Sequence, residues 1–241
     1  MQPVMSILVC VGPGSAPFLK AAVESVVGAE GWGDGPAEVV LAVNKTTDGA
    51  ARKIVEAIAD FPCVVVTEGN GTGYADAMNA AWNIATGKYI ARQDADDLTH
   101  PWRFAHSHFV VSKTKADVVT CSMVRFESGN PDYDEAPQGR RMDWEKFWTG
   151  RDHGPPAVTV VCHRKIYEAA MPLSEKYSIT ADSEWIAKVY EAGFTNWEHI
   201  GAPMYAYRQH PGHMTKRNKG AHALYQRLVQ ERIPECFTVK A

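Results

Sequence analysis

Lys88-Tyr89-Ile90-Ala91-Arg92-Gln93-Asp94-Ala95-Asp96-Asp97 runs from a strand-like start into three carboxylates, just ahead of the breaker His100-Pro101. Crowded anions repel one another, and a divalent cation or a basic partner offsets that cost. Aspartate oxygens are the hard ligands that Mg²⁺ and Mn²⁺ prefer. Alone, the run reads better as a solvated acidic turn, because short acidic runs are common in loops and Asp is a good turn residue. The flanking sequence decides. Apolar, strand-like runs recur at 4–11, 38–43, 63–66 and 88–91, and each gap carries a helical pattern. In the first gap Phe18, Leu19, Ala22, Val23, Val26 and Val27 fall at helical spacing, with Ser15 as the expected cap and Gly28 as the end. In the second, Asp48 caps a helix carrying Ala51, Ile54, Val55 and Ile58, which Pro62 stops. In the third, Tyr74, Ala77, Met78, Ala81, Ile84 and Ala85 share a face, and Gly87 takes the C-terminal glycine position. This βαβαβαβ order predicts an α/β fold with a Rossmann-like, mostly parallel central sheet and helices on both faces. Such sheets bind ligands at the carboxyl ends of their strands, which is where the acidic run lies.

At 241 residues the chain is long enough for one full domain, and its net charge of −3 argues against a general nucleic-acid binder, leaving only local basic patches. Five cysteines are scattered without a CxxC pair, and Cys10, Cys63 and Cys162 fall in apolar runs, so buried free thiols are expected. An odd count with no secretory signal points to a reducing compartment and a cytoplasmic location. No apolar run reaches the roughly 18 residues of a membrane span.

The second half is less regular. A helix through Phe104, His108, Phe109 and Val111 precedes a strand at 117–123, and 127–141 has the composition of a long loop. The tryptophan-rich Trp144–Trp148, a β-branched run at 158–161 and a short helix at 165–170 follow. A clearer helix then has Trp185, Ile186, Val189 and Tyr190 on its apolar face and closes at Gly193. At its start Asp182 shares a side with Ile186 and Val189, which turns it toward the interior, as an N-cap or as a functional carboxylate. Glu184 lines up with Lys188 as a solvent-side ion pair worth about 0.3–0.5 kcal/mol. His106 and His108, two apart in a helix, cannot share a face to hold a metal.

Taken together, Gly71-x-Gly73-Tyr74-Ala75-Asp76-Ala77-Met78-Asn79, the run from Ala85 through Asp97, and Pro101-x-Arg103 resemble family 2 glycosyltransferases of the GT-A fold. Ala181-Asp182 ahead of Trp185 and the late Tyr207-Arg208-Gln209-His210 are similar to further elements of that family. The resemblance spans nearly the whole chain and is weakest over 127–151. It implies a single GT-A domain, with 1–103 as the nucleotide-sugar-binding half and 104–241 as the acceptor-binding half. It implies an inverting transfer of a sugar from a nucleoside diphosphate sugar to an acceptor hydroxyl of a saccharide or glycan. Mn²⁺ or Mg²⁺ would sit on the diphosphate, held at the Asp-x-Asp motif by Asp96 directly and by Asp94, which could instead reach the donor ribose or a metal-bound water. By the same resemblance Asp97 holds the loop or meets the sugar, His210 is a third metal ligand or a diphosphate contact, and Asp182 is the general base, with Glu184 as fallback. Gly73, Asn79, Arg92 and Arg208 fall among the donor-binding residues.

Two departures stand out. Where the family has an acidic residue after its second strand, this chain has Asn44-Lys45; Asn44 can hydrogen-bond a base edge and Lys45 can meet a phosphate. The first loop, Val11-Gly12-Pro13-Gly14, replaces a Pro-Tyr-Asn-like turn, and its glycines permit backbone approach to the donor. Other readings use the same residues: glycosylation of a hydroxymethylated nucleic-acid base, with His213, Lys216, Arg217 and Lys219 as a cationic segment; a metal-dependent nucleotidyltransferase; or a non-catalytic nucleotide-sugar-binding module.

Overall fold

The computed structural model describes residues 2–32, 35–71, 73–212 and 220–237. Strand β1 (Met5–Val11) is almost wholly buried, as its unbroken apolar run requires of a strand covered on both faces. It pairs in parallel with β2 (Ala37–Val43) and with β4 (Tyr89–Asp94), and β3 (Val64–Glu68) continues the parallel set beyond β2. Helices α1 (Leu19–Val27), α2 (Gly49–Ile58) and α3 (Tyr74–Ile84) make the crossovers. Beyond β4 the sheet turns mixed: β7 (Val161–His163) runs antiparallel to β4 and to β6 (Val118–Phe126). Strand β8 (Trp197–Arg208) pairs in parallel with β6 and antiparallel with the two-residue β5 (Leu98–Thr99). Among the described residues the order is β3-β2-β1-β4-β7-β6-β8-β5. The parallel half matches the sequence expectation; the short antiparallel pairings of β7 and β5 make the sheet mixed, with most of its paired residues parallel.

Alternation along the strands sorts the core into two layers. Ile7, Val9, Val39 and Leu41 face α1, α2 and α4 (Arg103–Lys113). Leu8, Val40 and Ile90 face α3 together with α5 (Trp144–Trp148), α6 (Arg164–Ala169), α7 (Ala181–Glu191) and α8 (Ala221–Arg232). Residues 127–143 hold turns, bends and one bridge, Met123 to Gln138. None of the cysteines is in a disulfide; Cys121 and Cys162 are buried, Cys10 and Cys63 half-buried, Cys236 exposed. Among the described residues no helix is long and apolar enough to cross a membrane.

Several local expectations change. Asp48 does cap α2, accepting from Ala51 N at 2.9 Å. Ser15 does not cap α1; its hydroxyl turns back to Gly12 O at 2.7 Å and shapes the loop after β1. Gly87 is not the end of α3, which stops at Ile84. It lies against β1, where a Cβ would fall 2.4 Å from Ser6 N. The buried Glu38 fixes this approach, accepting from Ser6 Oγ at 2.6 Å and from Thr86 N at 2.5 Å. Glu184 is not on the solvent side: it is 1% exposed, accepts from Ser174 N at 2.9 Å and meets Lys188 at 3.0 Å. The 3-10 turn of Glu175–Thr180 folds back against the start of α7, so a position that would be exposed on an isolated helix is covered. Asp182 does not cap α7 and does not face the interior; Thr180 is the N-cap residue and the Asp182 side chain is 49% exposed. Ala181, Ser183 and Glu184 around it are buried, and Asp182 is the residue of this turn that stays partly exposed, at the cavity.

Gly87→Ala should destabilise the fold by about 1–3 kcal/mol, because the added methyl meets strand backbone that cannot yield. At this chain size the melting temperature should fall by about 2–4 °C per kcal/mol. A second expectation concerns pH. Burial pushes His100, His153, His163 and His199 below the ordinary imidazole value of 6.5, and for His153 the facing His222 pushes the same way. The unfolded chain therefore binds these protons first, so their contribution to stability is complete above pH 6.5 and is lost as the pH falls below it. Urea midpoints should decline from pH 7 to 5.5, and the decline should be shallower in His153→Gln.

Candidate active site

The carboxyl ends of β1, β2 and β4 open into a cavity of about 690 Å³. Val11, Gly12, Asn44, Asp94, Asp96, Asp182 and His210 all line it, so the parallel sheet and the distant helix α7 bring most of the sequence-selected residues together.

The acidic turn is built around Asp97. Its carboxylate is fully buried and accepts from the Tyr205 hydroxyl at 2.7 Å and from Arg208 N at 2.7 Å. Burial, then Asp94 and Asp96, raise its proton affinity. Both of its oxygens are engaged in holding the loop, one of the two roles considered above. Asp94 and Asp96 are half-buried at the cavity. Burial, followed by the charge of Asp96, pushes Asp94 up to about 7. The carboxylates of Asp94, Asp96 and Asp97 offer ligand atoms within 4.8 Å of one another. Such a hard-oxygen set, with Asp97 already committed, suits an ion that takes one or two protein carboxylates and completes its shell from water and phosphate, as Mg²⁺ does.

His210 lies beside Asp96, Nε2 to Oδ2 at 2.9 Å, and its ring rests on Phe18 with centroids 4.6 Å apart. Its Nδ1 accepts from Gly212 N at 3.1 Å, which in the neutral ring leaves the proton on Nε2, facing Asp96. Arg208 donates from Nε to Asp96 O at 2.7 Å and packs between the Phe18 and Phe126 rings. It is 9% exposed and supports the turn from behind.

Asp182 Oδ1 meets Arg92 Nη2 at 2.5 Å, and the same guanidinium donates to the Tyr74 hydroxyl. Arg92 is 3% exposed. Asn44 Oδ1 accepts from Thr46 N at 2.9 Å, and its Nδ2 donates to Gly73 O at 3.1 Å, so this side chain mainly joins β2 to the start of α3. Gly73 leaves no room for a Cβ beside Glu175 and Ser178. Asn79 exchanges hydrogen bonds with the Leu173 backbone at 2.9 and 2.8 Å, and neither it nor the exposed Lys45 lines the cavity. His213, Lys216, Arg217 and Lys219 lie outside the described residues.

Tyr205 and the Tyr74 hydroxyl are site groups that sequence reasoning missed. A signal existed for the first, since Tyr205-x-Tyr207 puts two rings on one face of a strand ending at Arg208. Chemically, the cavity offers two neighbouring carboxylates that could hold a cation and a third, Asp182, held by Arg92.

The family model described as glycosyl transferase family 2 matches residues 6–168. No curated protein matches the sequence. Among solved structures the chain is similar to residues 1–349 of TarS from S. aureus in complex with UDP, at 16% identity and a TM-score of 0.69, covering 96% of this chain and 65% of that one. The TarS complex with UDP-GlcNAc gives 16% identity and a TM-score of 0.67 over 88% of this chain and 60% of that one. The mannosyltransferase PcManGT from Pyrobaculum calidifontis, in complex with GDP-Man and Mn2+, is 19% identical, with a TM-score of 0.60 over 95% of this chain and 70% of that one. The chain thus spans 60 to 65% of the length of the TarS structures. At these identities the likeness is one of fold.

Tyr205→Phe removes one of the two donors to the buried Asp97. The change should cost about 1–3 kcal/mol in chemical denaturation, the penalty of leaving a buried acceptor unsatisfied.

Proposed function

Because the chain belongs to glycosyl transferase family 2, we propose that it moves a sugar from a nucleoside diphosphate donor to an acceptor hydroxyl, with inversion at the anomeric carbon and Asp182 as general base. The observation that carries this reading is the position of Asp182, held by Arg92 at the cavity that Asp94 and Asp96 line. Direct displacement needs a base across the sugar from the leaving group, and a hydroxyl is a weak nucleophile until its proton is taken. The acceptor oxygen attacks the anomeric carbon as its proton passes to the Asp182 carboxylate, while the bond from that carbon to the diphosphate oxygen breaks.

Asp96, with Asp94, would hold Mn²⁺ or Mg²⁺, which when bound offsets the charge growing on the leaving diphosphate. His210 is assigned to the diphosphate rather than the ion, because Gly212 N donates to its Nδ1 and the neutral ring then has its N–H at Nε2. The backbone at Val11 and Gly12 lies along the donor, Asn44 shapes its base end, and Asp97 and Arg208 keep the turn in place. Residues 1–103 form the donor half, and 104–241 the acceptor half, of the one domain. A saccharide or glycan is the acceptor class we favour.

The test is nucleoside diphosphate release, with water as acceptor, from a panel of UDP-, GDP-, ADP-, CDP- and dTDP-sugars with Mn²⁺, starting with UDP-GlcNAc and GDP-Man. Asp96→Ala should lose both turnover and metal-dependent donor binding. Asp182→Asn should bind donor normally and lose turnover by about 10²–10⁴-fold. Full turnover in Asp182→Asn would remove it as base, and turnover unaffected by chelation would remove the cation from the reaction.

A further inference from the structure

Two buried arginines stand within eleven residues of each other, and they are used differently. Arg103 is fully buried and donates to Gln93 Oε1 at 2.8 Å, to Arg92 O at 2.7 Å and to Val158 O at 2.9 Å, so it ties β4 to the second half of the fold. Arg92 is used otherwise: its Nη2 donates to Asp182 Oδ1 and to the Tyr74 hydroxyl, both of which belong to residues that line the cavity. The buried Nε of both arginines has no hydrogen-bond partner among the described residues, so the two differ in where their terminal nitrogens point. Arg92 is also 3% exposed and absent from the cavity lining, so a bound donor would not meet it directly. Its charge is delivered to the cavity through Asp182.

We infer that Arg92 and Tyr74 are positioning residues that set the Asp182 carboxylate for proton transfer; the inference rests on Asp182 being the base. A half-exposed aspartate in the first turn of a helix samples several rotamers. A fixed guanidinium at 2.5 Å from Oδ1 selects one of them and leaves Oδ2 as the oxygen that receives the acceptor's proton. Tyr74 fixes the guanidinium in turn: its oxygen accepts from Nη2, and its ring lies under the cation at 5.6 Å. The Tyr74 hydroxyl proton is still available, and Tyr74 lines the cavity. Burial raises its proton affinity, so the hydroxyl stays neutral and remains a donor.

The test is a double-mutant cycle on the full chain, read with the fastest donor of the panel above and water as acceptor. Arg92→Lys keeps a cation but loses the planar guanidinium that places Nη2 against Oδ1. Because the single Nη2 that serves both Asp182 Oδ1 and the Tyr74 hydroxyl is lost, kcat should fall by about tenfold to a hundredfold, the scale of a misplaced catalytic group, with the Kd of the nucleoside diphosphate changed less than threefold. Arg92→Lys/Asp182→Asn should be no slower than Asp182→Asn alone, because a positioning residue has nothing left to act on once the base is gone. Tyr74→Phe, which removes a single oxygen, goes through the same cycle, should lose about threefold to tenfold, and answers the question if Arg92→Lys does not fold. Wild-type kcat in Arg92→Lys, or losses that add to that of Asp182→Asn, would overturn the inference while leaving the base intact. Full turnover in Asp182→Asn, or no turnover of any donor by the wild type, would overturn the base reading and this inference with it.

Discussion

Burial of the Asp97 carboxylate is the constraint on which the site depends. A carboxylate out of water is costly unless hydrogen-bond donors surround it. Here the donors are the Tyr205 hydroxyl and Arg208 N, both from β8 and more than a hundred residues away in sequence. Satisfying Asp97 therefore requires β8 to lie against the acidic turn. The short antiparallel pairing of Leu98 with Ala206 and of Thr99 with Tyr205 is the backbone side of the same requirement. With Asp97 turned inward and Arg208 holding Asp96 O, the Asp94 and Asp96 carboxylates remain at the cavity. One buried acid thus sets the direction of the two exposed ones.

The parallel half of the fold was legible in the sequence because β1, β2 and β4 are covered on both faces and so appear as continuous apolar runs separated by helical patterns. The mixed half was not. Strands β5 and β7 have two and three residues, too few to establish a period, and the β6–β8 pairing shifts register around Ser122. The antiparallel pairings that make the sheet mixed therefore left no pattern to read. The same limit governs the site. Asp94, Asp96 and Asp97 declare themselves by crowding, but which of them turns inward depends on Tyr205, whose distance in sequence hides the contact. Glu184 misled the helix-face argument because that argument treats α7 as an isolated helix, whereas the preceding 3-10 turn caps and buries its first turn.

Alternation along β4 explains why an arginine belongs at position 92. Arg92 and Asp94 lie on one face of the strand, beside Leu8 and Cys10 of β1, while Gln93 turns to the other face and Arg103. Two residues of strand separate the arginine from the aspartate by about 6–7 Å along the chain, a spacing on the scale of a sugar ring and its leaving oxygen. The face therefore carries a cation toward Asp182 and an anion toward Asp96. Without Arg92 the cavity would hold Asp94, Asp96 and Asp182 with less positive charge to balance them, and the charge of Asp182 already adds to the pressure on Asp94 to take a proton. An apolar residue at 92 would pack as well as its neighbours Ala91 and Ile90, but it would leave that repulsion to be relieved by protonation or by movement of α7. The buried guanidinium costs desolvation and leaves its Nε without a partner among the described residues, yet it offsets part of the repulsion among three carboxylates around one cavity.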